Sequence, residues 1–213
     1  MRGLFMPFDS ENTIDIDGIA VPVDPDFRIM CGYGTAVHRG DKTELCKSAG
    51  LFYFAGLPEG VTSESAAKAM SRFYAKGLGS DIPEDEDESN KTVGVRPPVF
   101  DFSEDEGYFL AAFRSEYGID LLTVKEMHWF EFGALFLGLP DECKIKQIIG
   151  IRSTETAGIK STAEKHRIFR LQKIFALKFN RKERYKSVEE RDNAAKSELA
   201  EKIKKAKRKA VRK

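Results

Sequence analysis

The sequence predicts an all-α or α-rich fold: a helical domain of about seven helices with an N-terminal β-hairpin, an acidic mobile loop and a basic C-terminal helix. Three observations carry this expectation. Apolar residues recur at three- and four-residue spacings through most of the chain, the period of a helix with one buried face. The segments so marked tend to open on Asp, Ser or Thr and close on Gly or Gly-x-Pro, which are helix start and stop signals. Alternation with a period of two appears once, in TIDIDGIAVPVD, on either side of Asp17-Gly18.

That alternating stretch comes first. Asp-Gly between two β-type runs favours a tight hairpin, because the primed turns need positive φ. Pro22 suits an edge strand, where its missing N–H costs little. Two strands are marginal by themselves and must pack on something larger. DPDFRIMCGYGTAVHRG then reads as a helix capped by Asp24, with Pro25 in the first turn and Gly40 as stop. Phe27, Met30, Cys31 and Gly34 share one face by spacing. KTELCKSAGLFYFAGLP predicts a second helix, stopped by Gly56 and Pro58. TSESAAKAMSRFYAKGLG predicts a third, with Ser63 as cap and Ala66, Met70, Phe73, Tyr74 and Gly77 in one stripe.

Residues 80–98 interrupt the pattern. Their acid run, three prolines and lack of large side chains cannot offset the entropy of ordering, which predicts a mobile surface loop. The spacing of an EF-hand calcium loop is absent from it. Helical patterning resumes in FDFSEDEGYFLAAFRSEYGIDL. Ser103 and Glu106 have capping-box spacing, Phe109, Phe113 and Tyr117 form the apolar stripe, and Gly118 closes the helix. TVKEMHWFEFGALFLGLP predicts a helix capped by Thr123 and stopped at Gly138. It is apolar nearly all round from Trp129 onward, the mark of a central core helix. A short helix follows with Ile145, Ile148 and Ile149 inward. A second capping box, Ser161 with Glu164, opens a helix whose Ile168, Leu171 and Phe175 lie opposite His166, Arg170 and Lys173. The last 27 residues carry only a thin stripe of Val188, Ala195, Leu199, Ile203, Ala206 and Ala210. Such a helix must dock or fray. The domain is therefore expected over residues 13–180, with 80–98 as an inserted loop and 181–213 as a basic extension.

Composition narrows the classes of function. No run approaches the roughly 20 apolar residues of a membrane span, and no membrane association is expected. The first residues, MRGLFMPFDSENT, lack the apolar core and cleavage site of a signal peptide. Cys31, Cys46 and Cys143 are far apart and form no CxxC, so they read as reduced thiols of a cytosolic protein. Charge is strongly segregated. From Lys144 onward there are 23 Lys and Arg against 8 Asp and Glu, leaving 12 and 26 of the totals of 35 and 34 before it. This asymmetry suggests self-association, docking of the tail on the body, or an acidic partner, with two solvated faces as the plainer alternative.

The segment EMHWFEF, residues 126–132, raises the one question of catalysis. It holds the single Trp, one of three His and two carboxylates. His128 and Glu131 are three apart, as in the carboxylate–histidine pairs of di-iron bundles. Those sites need the order Glu-x-x-His, need it twice, and need further inward Glu; HExxH is absent as well. Read as packing, Met127, Phe130 and Ala134 follow one another at helical spacing, as do Trp129, Phe132 and Phe136. The segment is thus expected to be interior scaffold, with His128 half-buried against Glu131 or a backbone carbonyl. No GxxxxGKS/T, GxGxxG or GxSxG occurs, and CGYG at 31–34 sits within a helical pattern rather than between a strand and a helix. His38, His128 and His166 fall on different segments. No enzyme activity, cofactor or metal is expected. The basic end from Lys202 to Lys213 could neutralise phosphates, but no aromatic interleaves its charges, so nucleic-acid binding is disfavoured.

Several of these residues together resemble the bacteriophage Gp-fifteen family, proteins of tailed phages of Gram-positive bacteria encoded beside the tape-measure gene. The resemblance rests on Phe113 and Tyr117-Gly118-Ile119-Asp120-Leu121, on His128-Trp129 followed by Gly138-Leu139-Pro140, and on Ile149, Gly150 and Arg152. The hairpin followed by DPDFR is similar too, giving coverage over about 13–177, strongest in the centre. The long acidic loop, Gly32 and Gly34, and the basic extension after Phe179 depart from the family pattern. The motifs concern packing and capping. They imply a helical protein similar to tail assembly chaperones, which would bind the tape-measure protein, help recruit tail-tube subunits, and leave before the virion matures, acting in the host cytoplasm. A structural connector or minor virion protein, or a nucleic-acid-binding accessory protein, are the alternatives.

Overall fold

The computed structural model describes residues 12–80, 98–156 and 158–178. Two strands, β1 (Thr13–Ile16) and β2 (Ile19–Pro22), are followed by α1 (Phe27–Arg39), α2 (Lys42–Phe52), α3 (Ser63–Gly77), α4 (Glu106–Tyr117), α5 (Trp129–Leu137), α6 (Lys144–Ser153) and α7 (Thr162–Ile174). The α-rich class with an N-terminal hairpin is the one the periodicity predicts. Most of the inserted loop and the whole basic extension lie outside the described residues.

Asp17 and Gly18 have φ of 56° and 82°, the paired positive values of a two-residue primed turn. They fix the register Ile16↔Ile19 and Ile14↔Val21. Ile16 and Val21 are buried on the inner face, and β1 lies against α3. This supplies the support that an isolated hairpin lacks.

Helix starts are where structure and expectation part, and one cause recurs: an aspartate captures the backbone first. Asp26, not Asp24, caps α1, accepting from Arg28 N at 2.7 Å, while Asp24 accepts from Asp26 N at 3.0 Å. Thr62, not Ser63, caps α3 through Ser65 N. The Ser103–Glu106 capping box does not form. Asp101 Oδ1 instead accepts from Ser103 N and Glu104 N, so the chain turns there and α4 begins only after Asp105. Thr123 is not a cap either. Asp120 accepts from Leu122 N through its side chain, and from Thr123 N and Val124 N through its carbonyl, delaying α5 to Trp129. Helix α2 ends at Phe52, short of Gly56, because Tyr53 turns inward and donates its hydroxyl to Ala66 O at 2.6 Å. Gly40 and Gly118 close α1 and α4 in the left-handed conformation, as expected. Ser161 caps α7 through Glu164 N, but the Glu164 carboxylate pairs with Arg167 rather than reaching back.

The starts of α1 and α5 are stitched together. Phe27 N donates to Met127 O at 3.1 Å and Trp129 N donates to Pro25 O at 2.8 Å, an antiparallel bridge centred on Asp26 and His128. Each helix thus satisfies a first-turn amide that it could not satisfy internally. The bridge also places both N-termini side by side over the core.

Phe132 is the centre of that core, 1% exposed. Phe27, Phe113 and Trp129 lie nearly parallel to it, with centroids 5.0, 5.0 and 5.6 Å away. Tyr74 stacks on Trp129 at 5.3 Å. Offset stacks of this kind add to the burial of the rings. One expectation fails here: α5 is apolar all round, yet it is buried on one side only. Ala134 is exposed and Leu137 is 49% exposed.

Candidate functional site

Three places were candidates for chemistry or contact: the His-Trp segment, a pair of buried aspartates, and the surface around α1 and α2. In the first, Trp129 is fully buried and its indole N–H donates to Tyr74 O at 3.1 Å. His128 Nδ1 accepts from Phe130 N at 3.1 Å, so the imidazole is the N-cap of α5. The expected partner was Glu131 or a carbonyl; the bond found is to an amide donor, which makes the ring an acceptor. Partial burial pushes the His128 pKa below its usual value, in keeping with a neutral ring at a helix N-terminus. Glu126 and Glu131 are exposed; of the Met127–Phe130–Ala134 stripe, Met127 is buried, Phe130 is half-buried against the core and Ala134 is exposed. EMHWFEF is the scaffold that its packing pattern predicts.

His38 lies on α1 and His166, exposed, on α7. Burial lowers the His38 pKa, opposed in part by Asp101. Among the described residues no group of three or more His, Cys, Asp or Glu is arranged to hold a metal. Cys31, Cys46 and Cys143 are free. In CGYG, a Cβ at Gly34 would come 2.4 Å from Tyr74 Oη. That glycine serves helix packing.

The buried aspartates were missed from sequence. Asp101 and Asp105 are 0% and 2% exposed. Arg152 binds Asp105 with both terminal nitrogens, at 2.6 and 2.9 Å. It also donates to Val99 O and Phe175 O. Asp101 Oδ1 takes Arg39 at 2.9 Å besides the two turn amides. Asp101 Oδ2 has no hydrogen-bond partner among the described residues. Asp105 Oδ2 in turn accepts from Asp101 N. The network ties the end of α1, the start of α4, the end of α6 and the chain after α7 into one joint. In DFSEDE these acids look like first-turn residues facing the helix dipole, and nothing local marks Arg39 and Arg152 as their partners.

The surface holds the third candidate. A groove of about 540 Å³ runs between α1, the start of α2, the first turns of α4 and the 121–122 turn. Its floor is apolar: Phe27, Phe102, Phe109, Leu121 and Phe132. Arg28 and Arg39 also line it, but each is paired, with Asp26 and Asp101. Asp41, Glu44 and Glu106 line it as well, Asp41 accepting from Thr43 N and Glu44 N as the cap of α2 and Glu44 pairing with Lys47. Elsewhere, Leu51, Phe54 and Leu57 are 59%, 65% and 38% exposed within seven residues, and Leu122 is 64% exposed. Phe54 stands at the margin of a second hollow beside Pro22 and Val23 of the hairpin. Among the described residues no helix is long and apolar enough to cross a membrane.

A comparison with known families agrees with the resemblance read from the sequence. The family model described as Bacteriophage Gp15 protein matches residues 60–177. No curated protein and no solved structure matches the chain. The match begins later than the resemblance over 13–177, leaving the hairpin, α1 and α2 outside it. It still spans α3 through α7, including Trp129, Phe132 and the Asp105–Arg152 joint. With more than half of its 213 residues matched, the chain belongs to the Bacteriophage Gp15 protein family.

Proposed function

We propose that the chain is a non-enzymatic tail assembly chaperone that binds the phage tape-measure protein, aids recruitment of tail-tube subunits and leaves before the virion matures. The family points to a phage structural or assembly protein. The finer reading is carried by the exposed apolar run Leu51, Phe54 and Leu57. Large apolar side chains grouped on a folded surface mark a site of contact with another chain. A long tape-measure helix with an apolar stripe is a partner of matching chemistry, held as an amphipathic helix against an apolar surface. The proposal assigns no bond-making role, because Asp105, Arg152 and His128 are each hydrogen-bonded into the scaffold.

Co-expression of the full chain with the product of the neighbouring long helical reading frame tests the reading. The two products should co-purify, and the long product should become soluble only with its partner. Mass spectrometry of purified particles should find the chain absent. Presence at fixed stoichiometry in mature particles would make it a structural component of the virion instead.

A further inference from the structure

We propose that the groove between α1, α2 and α4 is the docking site of this chain's own basic C-terminal segment, residues 199–213. Three observations converge. The first is where the described chain ends: Lys178 N donates to Glu104 Oε2 at 2.8 Å, and Leu177 is buried. Glu104 stands beside Ser103 and two residues before Glu106, both of which line the groove. Lys178, the last described residue, is thus held next to groove-lining residues, and the 20 residues 179–198 that tether the segment span about 30 Å even at about 1.5 Å per residue.

The second observation is charge. Counted with their ion-pair partners, the lining charges are Arg28, Arg39 and Lys47 against Asp26, Asp101, Asp41, Glu44 and Glu106, which leaves the groove two negative charges in excess over an apolar floor. Residues 202–213 contain eight Lys and Arg and no Asp or Glu. The third is pattern. Leu199, Ile203, Ala206 and Ala210 recur at four, three and four residues, a narrow stripe flanked by lysines. A stripe that thin does not hold a helix by itself and needs a surface to cover it. The groove floor of Phe27, Phe102, Phe109 and Leu121 supplies such a surface. Tethering raises the effective concentration of the segment, so modest contacts suffice. This holds whether or not the chain binds a tape-measure protein.

Hydrogen exchange of the full chain, read by mass spectrometry, tests the proposal. Amides in 199–213 should exchange at least tenfold more slowly than an unprotected chain, and tenfold dilution of the protein should not change this. Glu44→Lys with Glu106→Lys should abolish the protection. So should Leu199→Asp with Ile203→Asp, which should also speed exchange in the groove segment 102–110. Thermal midpoints should stay near that of the parent, because the altered side chains lie on the surface or in the tail. Unprotected exchange of 199–213 in the parent would overturn the proposal, as would protection that survives the rim reversals. Protection that falls on dilution together with a dimer mass in sedimentation would assign the groove to a second copy's tail, and would overturn it equally.

Discussion

At the scale of single residues, two of the described glycines leave the least room for a side chain. A Cβ on Gly133 would lie 1.8 Å from Gly77 O, and a Cβ on Gly77 would lie 2.0 Å from the Trp129 indole nitrogen. Helices α3 and α5 touch backbone to backbone here, and the clash at Gly133 is with a carbonyl that cannot rotate away. Gly133→Ala should therefore lower stability by about 3 kcal/mol or more, despite the better helix propensity of Ala. Gly32 in α1 makes the contrast, since its added Cβ would meet only Ser48 Oγ at 3.6 Å, an ordinary contact. Gly32→Ala should raise stability by about 0.5–1 kcal/mol. Urea unfolding of both variants checks the pair, and equal signs would refute the argument. From the sequence, Gly77 could be placed on the buried stripe of its helix, but the close approach at Gly133 could not be read. A glycine that admits a neighbouring backbone is spelt the same way as one that does not.

At the scale of elements, the lesson is in the starts of helices. Stripes were legible because burial imposes a period: Phe109 and Phe113, Trp129, Phe132 and Phe136, and Ile145 and Ile148 are inside as expected. Starts were less so, because several residues within one turn compete to accept the same amides, and Asp26, Asp101 and Asp120 win over the predicted caps. His128 is the least expected cap, and it couples α5 to pH. Its folded pKa is lowered, so the unfolded chain binds the proton more readily. Its contribution is fully present above the unfolded value near 6.5 and is lost as pH falls toward the folded value. His38 shifts in the same direction and adds to the effect. His128→Asn keeps a capping oxygen and removes the titration. Denaturation midpoints between pH 7.5 and 5 should fall less steeply in this variant than in the parent; parallel slopes would show that the cap is not the sensor. The Asp105–Arg152 joint belongs to this scale as well, since it holds α4, α6 and the chain beyond α7. Arg152→Met would leave a buried carboxylate without its cation, at a cost of about 3–5 kcal/mol. Asp105→Asn with Arg152→Met should recover much of that loss, and a double variant no better than Arg152→Met would mean the pair is not the source.

At the scale of the whole molecule, the class of fold was legible and the contact surface was not. Periodicity says which face of a helix is apolar but not whether neighbours cover it. Thus α5 looked central and exposes Leu137, and the end of α2 looked like a helix continuing to Gly56 but presents Phe54 on a turn. That turn is where the assembly reading can be separated from mere greasiness. Phe54 is 65% exposed, so Phe54→Asp removes little packing from the body and should shift stability by no more than about 0.5 kcal/mol. As a central contact for a partner helix, the same change should weaken binding at least tenfold, the effect of losing roughly 1.4 kcal/mol at an interface hot spot. Phe169, 55% exposed on α7, serves as the matched control: Phe169→Asp alters a surface of similar chemistry elsewhere. The expected result is parent-like melting for both variants and loss of co-purification with the tape-measure product for Phe54→Asp alone. Equal retention of the partner by both variants would remove the Leu51–Phe54–Leu57 run from the binding surface. Equal loss would show that any added charge on the body defeats an interaction too weakly specific to be a chaperone's.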